Sequence, residues 1–336
     1  MGVTIKDVAK EAGVSTSTVS RVMSESPRIS DKTKKRVRDA IEKLNYHPNV
    51  IARSLANNET KVIGIVLTSE VEDLSKNPFF IQVMTGISTY AREKDYHIMY
   101  TFCKTHEEEL KYTKDYVNGN LVDGIVLTAV RNNDKCIEYL KEKEFPFVVI
   151  GRPEVTKNML WVDNDNFQAM YNLVNKLIDK GYKKIAYIGA KTELSVSKDR
   201  LSGYIQVHKI NGIDMEENLI KEVNDFKEEL GHKSMNEICT KEIPDALVAE
   251  DDLLAFGAIR YLKENNIKGV AVAGFNNTPL CEFQNPSLTS VDINVKKIGY
   301  YAAKLLVNGL ENNLKEKHYI IETRLIERKS TSINKV

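Results

Sequence analysis

The sequence predicts a small all-α head followed by a larger α/β body of two doubly wound parallel-sheet subdomains. Three observations carry that prediction. Through the first 45 residues, apolar positions recur at helical spacing, with a glycine and capping residues between the runs. From Lys61 onward, short apolar runs alternate with amphipathic segments. The charge changes between the same regions. Residues 1–61 hold 12 Lys and Arg against 7 Asp and Glu, a net of +5, while the 336-residue chain carries only +1, which leaves −4 on the remaining 275 residues.

The head begins with Thr4, which can cap a first helix, and Asp7 stands three residues on in capping-box position. Ile5, Val8, Ala9 and Ala12 share one face. Gly13 ends that helix and Ser15 can cap the next. In the second helix Val19, Val22 and Met23 point inward, which leaves Thr16, Ser17, Ser20 and Arg21 outward. A third helix begins near Ser30, with Val37, Ala40, Ile41 and Leu44 on one face. Two helices joined by a tight glycine turn form a helix-turn-helix, whose second helix enters the major groove of DNA. A basic head on a slightly acidic body suits phosphate contact. Taken alone, the Lys32–Arg38 cluster would read as an ordinary solvated helix face; beside the helix-turn-helix it favours DNA. Pro48 suits the start of a further short helix, too short to be stable alone.

In the body, strands are expected at 62–68, 96–102, 122–128, 145–151, 183–190, 244–249 and 269–275. Helices are expected near 79–94, 107–118, 133–143, 166–180, 198–211, 227–241, 251–265 and 294–309. This alternation implies parallel sheets covered on both faces. About 275 residues exceed what one core usually supports, so two subdomains are expected.

Several function classes find no support. The start, Met1-Gly2-Val3, runs straight into the head, so no secretory leader is expected. No run of about 18 apolar residues occurs, so no membrane span is expected. Cys103, Cys136, Cys239 and Cys281 are widely spaced and read as reduced, cytosolic thiols; with the DNA-binding head, a cytoplasmic, nucleoid-associated protein is expected. No catalytic constellation, cofactor-binding loop or metal-ligand spacing is present, so no enzyme, cofactor or metal is expected.

The run from Thr4 to Ala56 resembles the lactose/galactose repressor (LacI/GalR) family, through Thr4-x-x-Asp7-Val8-Ala9, Ala12-Gly13-Val14-Ser15 and Thr18-Val19-Ser20-Arg21. The resemblance implies base contacts from Thr16, Ser17 and Arg21. It implies phosphate or positioning roles for Thr4, Ser15, Thr18, Ser20 and Asn49. Residues 48–56, Ala52 among them, are similar to the family's hinge helix, and Leu55 matches the leucine wedged into the minor groove. The body is similar to the family's core, a type I periplasmic-binding-protein-like fold in which the chain crosses between lobes three times. The implied division is 1–47 for the DNA-binding domain, 48–60 for the hinge and linker, and 61–336 for effector binding and dimerisation. Its first lobe would be about 61–161 and 293–322, and its second about 162–292 and 323–336. Crossings are expected near Trp161–Val162, Val291–Ile293 and Ile320–Leu325.

The resemblance also implies an effector site in the cleft. The segment Ser195–Tyr204 matches the one whose arginine, here Arg200, holds sugar hydroxyls; the alternative is a structural salt bridge to Asp251 or Asp252. Asp251 matches a hydroxyl acceptor, with Asp252 expected as the helix cap. Phe226 matches an aromatic platform, and Asn77 and Phe79 lie in a segment at the cleft mouth. Trp161, at an expected crossing, could stack on a sugar face or belong to the core. Phe275-Asn276-Asn277, with Pro286–Asn294 after it, is similar to the maltose-operon (MalR-type) subgroup, which implies maltose or a maltodextrin, with Asn276 in the site. The expected function is a homodimeric repressor of a pseudo-palindromic operator, controlled by a small saccharide. Alternatives are another sugar, a purine or a partner protein as effector, and, from other classes, an α/β sugar-metabolising enzyme or a sugar receptor.

Overall fold

The computed structural model describes residues 3–23, 25–46, 59–68 and 77–332. The chain divides into two units, residues 1–60 and 61–336.

The first unit contains α1 (Ile5–Ala12), α2 (Thr16–Met23) and α3 (Asp31–Lys43). Asp7 closes the expected capping box: its Oδ2 accepts from the Thr4 amide at 2.9 Å and from the Thr4 hydroxyl at 2.7 Å. Gly13 ends α1 at φ 62°, a left-handed conformation that glycine adopts without strain. The Ser15 hydroxyl accepts from the Thr18 amide at 3.2 Å, and that of Ser30 from the Thr33 amide at 3.4 Å. Val8, Ala9, Ala12, Val19, Val22, Val37 and Ala40 make the core, closed by Tyr46. The hinge positions Pro48, Asn49, Ala52 and Leu55 lie outside the described residues.

The second unit opens with β1 (Val62–Thr68), α4 (Pro78–Glu93), β2 (His97–Cys103), α5 (His106–Asn118), β3 (Gly124–Leu127), α6 (Lys135–Glu142), β4 (Phe147–Ile150) and β5 (Leu160–Asn164). It continues with α7 (Asn166–Asp179), β6 (Ile185–Ala190), α8 (Ser195–Asn211), β7 (Ile220–Val223), α9 (Glu228–Lys241), β8 (Ala246–Ala249), α10 (Asp252–Glu264) and β9 (Ala271–Phe275). It ends with β10 (Thr289–Asp292), α11 (Val295–Leu310), β11 (His318–Ile321) and β12 (Arg324–Ile326). The strands form two six-stranded sheets, ordered β11-β5-β4-β3-β1-β2 and β12-β10-β9-β8-β6-β7. All pairs are parallel except β10 with β12.

Alternation along the strands sends side chains to opposite faces of each sheet. In the first lobe Ile63, Ile65 and Leu67 pack with Val83 and Ile87 of α4 and Ile298 and Ala302 of α11. Val66, Ile125 and Leu127 pack on the other face with Tyr116 of α5 and Leu140 of α6. In the second lobe Tyr187, Val248 and Phe275 join Met170 and Tyr204, while Ile188, Leu247 and Val272 join Met235 and Leu254. Helix neighbours approach on glycine. A Cβ on Gly257 would lie 1.9 Å from the Glu228 carbonyl oxygen, and one on Gly299 2.1 Å from that of Val83.

The first crossing falls at Asp165, not at Trp161–Val162. Those two residues belong to β5, where Trp161 pairs with Val149 and His318. The chain crosses back after Asp292 and again between Ile321 and Arg324. The Asn164 side-chain amide ties the crossings together, donating to the carbonyls of Ile293 at 3.0 Å and Ile321 at 2.8 Å. Among the described residues no helix is long and apolar enough to cross a membrane.

Candidate functional site

In the first unit, packing of Val19 and Val22 leaves Thr16, Ser17, Ser20 and Arg21 exposed on α2. Ser15 hydrogen-bonds the hydroxyls of Ser17 (2.8 Å) and Thr18 (2.9 Å), so the cap also orders the start of this face. Lys32, Lys35, Arg36 and Arg38 are exposed on α3. Arg38 pairs with Glu25 at 2.7 Å and Lys43 with Glu11 at 2.6 Å. Such a face offers hydroxyls, one guanidinium and spare positive charge, the groups that read base edges and phosphates. The Asp7 carboxyl is held below its usual range, first by the Thr4 hydroxyl and then by the Thr4 amide.

In the second unit, a cleft of about 880 Å³ opens at the carboxyl ends of both sheets, where open α/β sheets hold their ligands. Asn77 and Phe79 enter from the first lobe, and Arg200, Phe226, Asp251 and Asn276 from the second. Asn77 caps α4, its side-chain oxygen accepting from the Phe79 amide at 3.0 Å. Arg200, 4% exposed, is held by three contacts. Its Nε donates to Asn166 Oδ1 at 3.0 Å, its Nη1 donates to the Glu250 carbonyl at 2.6 Å, and the guanidinium lies 4.3 Å over the Phe275 ring. Neither Asp251 nor Asp252 pairs with it, so the salt-bridge alternative is not what holds it. The two hydrogen bonds engage Nε and Nη1.

The cap expected at Asp252 falls one residue earlier, on Asp251, which also lines the cleft. Asp251, not Asp252, caps α10, its Oδ1 accepting from the Leu253 amide at 2.7 Å. Its Oδ2 accepts from Asn276 Nδ2 at 2.7 Å. Asp252 is the first helical residue and accepts from Ser290 Oγ at 2.6 Å and the Thr278 amide at 2.7 Å. The reason is the end of β8 at Ala249: Glu250 follows it, and Asp251 still has extended backbone, as a cap requires. Asn276 and Asn277 turn the chain after β9 at φ 96° and 47°, conformations asparagine tolerates better than most residues.

Trp161 is a core residue and does not line the cleft. Its register in β5 turns it to the α5–α6 face of the sheet, where it is 5% exposed and stacks on His318 with ring centroids 4.5 Å apart. Sequence reasoning missed Asp163, Asn166 and Glu250. Asp163 lines the cleft and accepts from the amides of Arg152 and Asn164 and from Asn166 Nδ2, all within 2.7–2.8 Å. Glu250 accepts from Ala190 N at 2.8 Å, Tyr187 OH at 3.1 Å and Ser197 Oγ. Each sits in a polar run, Asp163–Asn166 or Glu250–Asp252, whose pattern does not say which member faces the cleft or supports it; the strand ends decide that.

Burial dominates the titration of these acids. It pushes Asp251 up to about 8, with the neighbouring Asp252 adding to the effect. Asp163 and Asp252 rise to about 6, and Glu250 is also raised. A carboxyl whose folded pKa is raised keeps a proton in the folded state that the unfolded chain has lost. Its stabilising effect is therefore full below the ordinary carboxylate range near 4 and lost as pH rises to about 8. Thermal unfolding of the second unit is expected several degrees higher at pH 6 than at pH 8. Asp251→Asn, which keeps an oxygen for the Leu253 amide, is expected to remove most of that difference. An unchanged difference in calorimetry would place its origin elsewhere. Among the described residues no group of three or more His, Cys, Asp and Glu side chains could hold a metal ion.

Residues 4–49 match the family model of bacterial regulatory proteins of the lacI family, and residues 174–331 that of the periplasmic binding protein-like domain. The HTH-type transcriptional regulator MalR of Streptococcus pneumoniae is 38% identical over 336 residues, spanning 98% of this chain and 100% of its own. Two solved structures are similar. One is described as a probable maltose operon transcriptional repressor from Staphylococcus aureus, with TM-score 0.76, 29% identity and coverage of 82% of this chain and 100% of its own. The other is the transcriptional regulator CelR in complex with cellobiose, with TM-score 0.76, 27% identity and coverage of 98% and 99%. With the head and the two-lobed core in the same order as in these relatives, the chain belongs to the LacI family of DNA-binding transcriptional regulators.

Proposed function

We propose that the protein is a homodimeric repressor whose affinity for a pseudo-palindromic operator is set by a small saccharide, with maltose or a short maltodextrin as effector. The observation that carries this reading is the convergence of Arg200, Asp251 and Asn276 in one cleft with two aromatic residues, Phe79 and Phe226, on its walls. A planar guanidinium and a carboxyl–amide pair present donors and acceptors suited to vicinal hydroxyls. Aromatic faces suit the apolar faces of a sugar ring. The MalR-named relative supports the maltodextrin choice, and the cellobiose-bound relative makes a β-linked disaccharide the second reading.

Thr16, Ser17 and Arg21 would read base edges. Thr4, Ser15, Thr18, Ser20 and Asn49 would hold phosphates. Ala52 and Leu55 would belong to a hinge that engages the minor groove in the DNA-bound dimer. Residues 1–47, 48–60 and 61–336 would then be reader, hinge and sensor. Calorimetric unfolding with saturating sugar tests the effector class. At a hundredfold excess over Kd, a bound ligand stabilises by about 2.7 kcal/mol, so maltose or maltotriose is expected to raise the unfolding temperature by several degrees while ribose does not. No shift with any saccharide would contradict the reading.

A further inference from the structure

We propose that Ser195 is a specificity-determining ligand contact placed where the two lobes meet; this rests on the saccharide reading of the cleft. Ser195 lines the cleft and is 8% exposed. Its Oγ is buried and has no hydrogen-bond partner among the described residues. Buried hydroxyls are nearly always paired, because an unpaired one carries its full desolvation cost.

Two further observations give the position its meaning. Ser195 opens α8, a helix of 17 residues whose N-cap is Leu194, a side chain that makes no capping bond. First-turn amides of such a helix are left to another acceptor. The same residue also stands in a backbone bridge between the lobes. Its amide donates to the Val130 carbonyl at 3.3 Å, the Asn132 amide donates to the Glu193 carbonyl at 3.2 Å, and Arg131 and Leu194 pair antiparallel between them. Val130–Asn132 follow β3 of the first lobe, whereas Glu193 and Leu194 precede α8 of the second and Ser195 opens it.

A ligand hydroxyl at this point can accept from Ser195 Oγ and donate to it, as no purely apolar or purely anionic group can. It would occupy the buried hydroxyl and sit against the seam, so that occupancy bears directly on how closely the lobes approach. The sequence hid this because the helix was expected to start at 198, which put Ser195 in a loop.

Ser195→Ala removes the hydroxyl and leaves the backbone bridge. The unliganded variant is expected to unfold at the wild-type temperature or slightly above it, since an unpaired buried hydroxyl is lost. Its Kd for maltotriose, or for maltose or cellobiose if one of those binds the wild type best, is expected to rise about tenfold in titration calorimetry. A merely structural serine gives the opposite pair, lower stability with unchanged Kd. Wild-type affinity in Ser195→Ala overturns this inference alone. Failure of maltose, maltotriose and cellobiose all to bind the wild-type protein overturns the saccharide reading, and this inference with it.

Discussion

Arg200→Ala is expected to weaken effector binding by at least a hundredfold and to destabilise the sensor core by about 3 kcal/mol. Both effects have one origin. The guanidinium is the cation whose charge counters burial at Asp163, Glu250 and Asp251. Without it, buried carboxyls lose their compensating charge, and the Glu250 carbonyl and Asn166 Oδ1 lose their donors. Arg200→Lys separates the two effects. A lysine restores a charge but neither the planar fork nor the face laid over Phe275. It is expected to recover part of the stability and little of the binding. Denaturant unfolding and titration calorimetry on both variants check this. Full ligand affinity in Arg200→Ala would remove the residue from the site.

Arg21→Ala is expected to cost operator binding about 1–3 kcal/mol, with discrimination lost at one base pair. Arg21 is the last polar residue of the outward face of α2, one position before the buried Val22. Thr16, Ser17 and Ser20 on that face have short side chains that discriminate weakly, so the long guanidinium is expected to carry most of the specificity. Substitution of an exposed residue should leave the fold of the head intact. Affinity for the operator and for an unrelated duplex, measured at several salt concentrations, checks this. Equal losses on both duplexes would make Arg21 a phosphate contact.

All eight body helices were legible in the sequence to within about three residues, because each carries an amphipathic stripe that its sheet requires. Six of the seven expected strands were legible for a related reason: buried on both faces, they read as continuous apolar runs, whereas β2, at the sheet edge, is largely exposed. β5, β7, β10, β11 and β12 were not legible. β7, Ile-Lys-Glu-Val, is an edge strand with two charged residues, and β10 begins Thr-Ser because those side chains hydrogen-bond Thr331 and Asp252. Such segments become strands through their neighbours, not their own pattern. Misreading β5 as a crossing had two consequences. It drew Trp161 towards the cleft, and it concealed Asp163, which stands near the end of that strand.

The cleft was legible where a family motif marked it, at Arg200, Asp251 and Asn276. The cap at Asp251 in place of Asp252 was not, since two consecutive aspartates can each cap a helix and only the end of β8 decides which one does. Asn276 shows the same limit. The resemblance implies only that Asn276 belongs to the site; the structure adds that its amide donates to Asp251. An aspartate there would set a second carboxylate against one already driven up to about 8 by burial.

Under the proposed function, a saccharide in the cleft controls operator binding by the head. Sites linked in this way change each other's affinity reciprocally, by about 5–150-fold. The direct measurement is the affinity of the full-length protein for a palindromic duplex with a central CpG, at fixed salt, with and without maltose and maltotriose. A shift of at least about fivefold with either sugar, and none with glucose or ribose, is the predicted result. Tight binding to the duplex that neither sugar changes would contradict it.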